Sequence, residues 1–156
     1  MEKIDSLNQV AEFHRTFNAP ILDTPQIPSE ERARLRVKLL QEELDELKEA
    51  IANNDLVEVA DALCDLQYVL SGAVLEFGLG EKFVELFNEV QRSNMSKACS
   101  TEDEAQQTIE HYRKKDQDAY AVKSGDKINV HRKSDDKVLK SVNYSPADLK
   151  SIIEKP

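Results

Sequence analysis

Two groups of carboxylates have the types and spacing to do chemistry: Glu42-Glu43-x-x-Glu46 and, shortly after, Glu58-x-x-Asp61, with Asp65 one turn further on. At roughly 100° per residue, Glu58, Asp61 and Asp65 fall within an arc of about 60° on one helix. Glu42, Glu43 and Glu46 span an arc of about 100° on the helix before it. Carboxylate oxygens at this density are hard ligands suited to Mg²⁺ or Mn²⁺, whereas Zn²⁺ would ordinarily recruit His or Cys. An acidic run such as Glu42 to Glu49 is by itself usually a solvated helix face. The second group differs, because its neighbours include Leu56, Val57, Val59, Leu63, Leu66 and Leu70. A helix so apolar is expected to be buried, and acids on it would be costly without a cation.

The elements that must position these acids can be read from apolar periodicity and capping residues. Ile4, Leu7, Val10, Ala11, Phe13 and Phe17 predict a first helix from near residue 3 to Phe17. Pro20, Pro25 and Pro28 then impose a loop. Ser29 is suited to cap a second helix that reaches about Ala52, with Glu30 and Glu31 favourably placed in its first turn. After a break at Asn53-Asn54, a long helix covers residues 55 to 77 and stops at Gly78 and Gly80. So short a break makes the two helices antiparallel neighbours, with Glu43 and Asp61 at similar heights.

A fourth helix is expected from about Glu81 to Ser93, and a fifth from the capping box Thr101-x-x-Glu104 to about Asp118. In the tail, Lys127 to His131 and Val138 to Lys140 read as strands of a hairpin turning at Ser134 to Lys137. Ser145 and Pro146 would start a short final helix with Leu149, Ile152 and Ile153. The expected fold is therefore all-α: an antiparallel four-helix-bundle-like core with an additional helix and a small C-terminal β-hairpin. It forms a single domain over 1–156, with a helical core over 1–118 and a hairpin and short-helix tail over 119–156.

With 156 residues, 40% of them apolar, the chain can bury one ordinary core. Its net charge of −9 argues against a nucleic acid polymer or an anionic membrane as partner. An anionic substrate would then need a metal or a local basic group. No apolar run reaches the length of a membrane span, and Met1-Glu2-Lys3-Ile4-Asp5 is not built like a signal peptide, so a soluble, cytoplasmic protein is expected. Cys64 and Cys99 are too few for a disulfide scaffold and fit a reducing compartment as plain thiols.

The order and spacing of Glu42, Glu43, Glu46, Glu58 and Asp61 on successive helices resemble the all-α nucleoside triphosphate pyrophosphohydrolases. That superfamily includes MazG, the dimeric dUTPases, the dCTP pyrophosphatases and phosphoribosyl-ATP pyrophosphohydrolase. The segment Asn88 to Lys97 and the tail from Asp136 to Tyr144 are similar to its short MazG-like branch. The chain departs from full-length MazG, which has two such domains, and its tail has no counterpart in phosphoribosyl-ATP pyrophosphohydrolase.

The resemblance implies Glu43, Glu46, Glu58 and Asp61 as Mg²⁺ ligands, with Mn²⁺ as a substitute. Glu42 and Glu46 are the catalytic acids it implies, Glu42 orienting or deprotonating the attacking water. The reaction would convert a nucleoside triphosphate and water to the monophosphate and pyrophosphate. The substrate would be a deoxy- or non-standard nucleotide such as dUTP or dCTP, and the role nucleotide-pool house-cleaning. The ions would neutralise the triphosphate and acidify water.

Asn94 and Lys97 are candidate sugar or phosphate contacts, and their plain reading is a polar helix end. Lys137 and Lys140 would close over phosphates or simply face solvent. His14 and Phe17, one turn apart, would line a base pocket, although the core is the more usual place for Phe17, while Asp65, Tyr68 and Gly72 share the acidic strip. An all-round apolar helix in so small a chain implies burial between subunits, in a homodimer or homotetramer. Two other readings compete. One is a non-enzymatic helical-bundle interaction module. The other is a carboxylate-bridged redox bundle, whose Glu-x-x-His pairs are missing because Ala11, Thr108 and Ile128 stand three residues before the histidines.

Overall fold

A computed structural model describes residues 4–155. Among them are six α-helices, one short 3-10 turn and two strands, a mostly helical architecture with one small antiparallel sheet, as expected. The chain forms two compact units with the border between Phe83 and Val84. Among the described residues no single helix is long and apolar enough to cross a membrane.

The first unit contains α1 (Ser6–Thr16), α2 (Glu30–Ala52) and α3 (Leu56–Glu76). The expected start of α1 near residue 3 lies outside the described residues, and within them the helix begins at Ser6. Ser29 caps α2 by accepting from Arg32 N. Asp55 caps α3 by accepting from Val57 N at 3.0 Å and Glu58 N at 3.2 Å. Asn54, at φ 54°, supplies the left-handed turn that sends α3 back along α2. The proline-rich segment is stitched to the end of α3, with Leu22 N donating to Leu75 O and Gln26 N to Phe77 O. Gly78 is required there: its φ is +67°, and a Cβ would lie 1.9 Å from Thr24 O. Val10, Ala11 and Leu75 form the buried core, with Ile21 packed against it.

The expectation that α3 is buried all round is not met within one chain. Leu56 and Val57 are 79% and 76% exposed, and Leu63 and Leu70 are also exposed. The reason is length: α1 has 11 residues and spans about 16 Å, whereas α3 has 21 and spans about 31 Å. Burial is therefore concentrated in the last turns of α3, from Ser71 to Glu76. Phe17 is likewise exposed rather than in the core, its ring 4.4 Å from that of Phe13.

The second unit contains α4 (Phe83–Met95, its first residue at the border), α5 (Glu102–Arg113), β1 (Ala119–Ser124), β2 (Lys127–Arg132) and α6 (Leu149–Ile153). Thr101 caps α5 as expected, while Glu104 reaches back to Ser100 N. The helix ends at Arg113, short of the expected 118, because Lys114 to Gln117 offer no apolar residue and Asp116 adopts φ 56°.

The hairpin differs from the sequence reading. The partner of β2 is β1, paired from Ala119↔Arg132 to Ser124↔Lys127 around Gly125-Asp126. Residues 137–139 touch the other edge of β2 through one bridge, His131↔Val138, and the bond Leu139 N to Val130 O. The turn is made by Gly125 at φ +61°, and Ser134 to Lys137 form a wider return. The hairpin packs on α5 over a core of Cys99, Ala105, Val130 and Leu139. The final helix starts later than expected, with Asp148 rather than Ser145 as its N-cap.

Candidate functional site

Because α2 and α3 run antiparallel, the two acidic groups share the end of the hairpin nearest its turn. Glu46, Glu58 and Asp61 line one cleft of about 440 Å³, together with Glu49, Asn53 and Asp55. Glu43 and Asp65 lie one step further from the turn and are half-buried. Their proximity shows in the ionisation of Glu43. Its burial, followed by the negative charges of Glu46, Asp65, Glu42 and Asp61, raises its carboxyl above the ordinary carboxylate value. Charges from both helices thus meet at one side chain. Glu42 itself turns to Lys38, 3.3 Å away, and lines a separate groove with Val37 and Asp45.

These acids are more exposed than the sequence reading requires. Glu46, Glu58 and Asp61 are all solvent-accessible, since α3 is uncovered on that side. What burdens these acids is mutual repulsion rather than burial. Among the described residues no Lys or Arg forms an ion pair with Glu43, Glu46, Glu58, Asp61 or Asp65. No three His, Cys, Asp or Glu side chains among them converge as a finished metal cage. The donor set nonetheless matches a hard divalent ion in kind, being wholly carboxylate oxygen presented by two facing helices.

At the far end of the same hairpin stands a group that sequence reasoning missed. Glu76 is fully buried and accepts hydrogen bonds from Arg32 and Arg36, with Arg32 Nε at 3.0 Å. Burial opposes its charge, but the bonds and charges of the two guanidinium groups hold its carboxyl below the ordinary value. His14 belongs here and not to an open base pocket. It is 2% exposed, its Nδ1 is 2.8 Å from Pro20 O, and its Nε2 is 3.3 Å from Arg36. A carbonyl only accepts, so Nδ1 carries the proton and Nε2 accepts from the guanidinium. Gly72 makes room for this group, since a Cβ there would lie 2.7 Å from Arg36 Nη1 and 3.0 Å from His14 Nε2. A signal existed in the sequence: Glu76 is five turns after Glu58, on the same strip.

The remaining candidates lie in the second unit. Asn94 and Lys97 are joined, Lys97 Nζ donating to Asn94 Oδ1 at 2.7 Å. The Lys140 ammonium lies 4.2 Å from the centre of the Tyr144 ring, and Lys137 is exposed.

Residues 10–94 match the family described as phosphoribosyl-ATP pyrophosphohydrolase, a stretch that contains every acid of the α2–α3 cleft. The chain is also similar to an uncharacterized protein of Acanthamoeba polyphaga mimivirus. The two are 35% identical over 82 residues, covering 50% of this chain and 33% of the viral protein. The chain thus spans about a third of the length of that relative.

Proposed function

The chain belongs to the phosphoribosyl-ATP pyrophosphohydrolase family, and from that premise we propose that it hydrolyses a nucleoside triphosphate to the monophosphate and pyrophosphate with Mg²⁺, or Mn²⁺ in its place. The observation that carries the reading is Glu43. Carboxylates from two helices crowd it, and among the described residues no Lys or Arg forms an ion pair with it or with Glu46, Asp61 or Asp65, Glu42 alone turning to Lys38. Glu43, Glu46, Glu58 and Asp61 would hold the ion, and Asp65 would extend the site toward the sugar or phosphates.

When bound, the ion supplies charge neutralisation to the triphosphate and acidifies water at the cleft. Glu46, which lines the open cleft, would take a proton from the attacking water. Glu42, which turns to Lys38 at 3.3 Å, would orient or deprotonate that water once directed into the cleft. A deoxy- or non-standard nucleotide such as dUTP or dCTP is the proposed substrate class. Leu56, Leu63 and Leu70 leave one side of α3 apolar and open, which supports a homodimer or homotetramer formed over that side.

The test is a panel of standard, deoxy- and modified nucleoside triphosphates with Mg²⁺, the products identified by chromatography. Monophosphate and pyrophosphate in equal amounts from at least one substrate supports the reading. No turnover across the panel, with melting unchanged by Mg²⁺ or Mn²⁺, sinks it and leaves an interaction module as the better account.

A further inference from the structure

The hairpin of the second unit leaves one edge of its sheet bare. On β2, the even-numbered residues turn their backbone groups away from β1: Ile128 exchanges two bonds with Cys99, Val130 O accepts from Leu139 N, and Arg132 N donates to Lys137 O. Backbone groups alternate sides along an antiparallel strand, so it is Lys127, Asn129 and His131 that bond to their register partners Ser124, Val122 and Tyr120. Ala121 and Lys123 therefore aim their own N–H and C=O groups at the outer edge of β1. Among the described residues nothing is hydrogen-bonded to that edge. β1 contains no proline and pairs with β2 in continuous register without a bulge, so devices that normally block an edge are missing. Its one charge, Lys123, stands beside the turn and leaves Ala119 to Val122 unguarded.

A groove runs beside the same edge. Ala121 and Lys123, with Ile128 of β2 and Ala105 and Ile109 of α5, border a space of about 260 Å³ between the hairpin and the helix. Ala105 is buried, and Ile109 and Ile128 are half-buried, so the bottom of the groove is apolar. Glu102 and Lys123 give it one charge of each sign, which favours neither a strongly acidic nor a strongly basic occupant. On the other face of the sheet Tyr120 and Val122 are exposed and open to cross-strand contact. One more strand laid against β1 would satisfy its free backbone groups and close the groove over α5 in a single step.

We infer that the outer edge of β1 and the groove beside it dock an extended peptide of another protein, one with aliphatic side chains at alternate positions and little net charge. The peptide backbone pairs with the amide and carbonyl groups of Ala121 and Lys123, and its aliphatic side chains enter the groove. Backbone pairing supplies affinity that is blind to sequence, whereas the groove selects the side chains. A second copy of β1 is the poorer occupant. On the groove face it would bring Ala119, Ala121 and Lys123, which are too small or charged to fill an apolar space. None of these residues lies within 10–94, the stretch shared with the family, so the docking surface stands or falls separately from the proposed hydrolysis.

The probe is a capped hexapeptide alternating valine and serine, titrated into the full chain and followed by backbone NMR and amide hydrogen exchange. In the free protein the amides of Val122 and Ser124 should exchange slowly and those of Ala121 and Lys123 fast. Saturable binding that slows Ala121 and Lys123 is expected. Two further peptides are N-methylated, one on its valines and one on its serines. The one whose blocked amides face β1 should bind at least about tenfold more weakly, and the other should bind like the parent. Replacing each valine by alanine should cost about tenfold per residue, the worth of the aliphatic surface withdrawn from the groove. Ala121→Pro removes a donor from the open edge and leaves the bonds to β2 in place, so it should abolish binding while Val122 and Ser124 remain slow. No slowing of Ala121 and Lys123 at millimolar peptide overturns the inference, as does equal binding by the two methylated peptides. So does slowing of the same two amides that grows with protein concentration in the absence of peptide, which would give the edge to a second copy.

Discussion

Arg32 on α2 and Glu76 on α3 stand opposite each other across the helical hairpin, Arg32 Nε donating to the buried Glu76 carboxylate at 3.0 Å. Arg36, one turn along, reaches the same carboxylate past Gly72. Following that antiparallel register toward the turn sets Glu43 opposite Asp65 and Glu46 beside Asp61. One seam between two helices thus has attraction at its closed end and repulsion at its open end.

Removing the buried acid strands two guanidinium groups, so Glu76→Gln should lower stability by about 3–5 kcal/mol near neutral pH, measured by urea unfolding. The folded Glu76 carboxyl lies below its ordinary value despite its burial. Its contribution is therefore full above the unfolded carboxylate value of about 4.3 and is lost as pH falls through the lower, folded value. Wild type should lose stability steeply in acid, and Glu76→Gln should lose less. Parallel acid limbs would deny the pair that role.

Glu43 has the opposite sign. Its folded value is raised, so its effect on stability is favourable below the unfolded value and is lost as pH rises through the folded one. Glu43→Gln should stabilise the metal-free protein near neutral pH by a few tenths of a kcal/mol for each like-charged neighbour relieved, and so raise its melting temperature. The variant should also lose most of the stabilisation that Mg²⁺ gives wild type. Calorimetric scans with EDTA and with Mg²⁺ read both effects, and a metal-free variant that melts lower than wild type would contradict the crowding described.

Glu46→Gln and Asp61→Asn should each cut turnover by about 10²-fold or more, because a metal site supplies several kcal/mol of transition-state stabilisation. Both should fold as well as wild type without metal. Asp45→Asn on the same helix should stay near wild type, since Asp45 pairs with Lys48 at 2.7 Å and faces another groove. Steady-state rates for the three variants on one substrate decide whether the cleft or the whole acidic helix matters.

Two glycines share a left-handed backbone yet should respond differently. Gly125→Ala meets nothing within 4 Å and should cost about 1–2 kcal/mol for its φ alone. Gly78→Ala adds a clash with the backbone of Thr24 and should cost about 3 kcal/mol or more. Urea midpoints compare them directly, and equal losses would mean that the Thr24 segment yields freely.

Much of the hairpin was legible because its signals are local. Ser29 and the Asn53-Asn54 break mark the bounds of α2 and the start of α3 to within a residue, and both acidic arcs follow from helical spacing. Periodicity says which residues share a face but not what covers it, so it marks α3 as apolar all round without showing that its own chain leaves one side open. The Arg32–Arg36–Glu76 group escaped notice because each residue looks ordinary within its own helix, and only the antiparallel register joins them. In the tail, the alternation of Lys127 to His131 gave one strand correctly. The choice of partner was decided by Gly125-Asp126, a two-residue turn whose strand, Ala119 to Ser124, has few strongly apolar residues to announce it.

The ion pairs at the closed end have a consequence for the connection at the open end. Since Arg32, Arg36 and Glu76 fix how far α3 is slid along α2, Asn53-Asn54 need not specify the alignment and has only to return the chain. A one-turn slip would strand a buried charge, whereas a longer link would cost only loop entropy, which grows slowly with length. The stretch beside the cleft is thereby free to take insertions that reshape the entrance without retuning the acids beneath it.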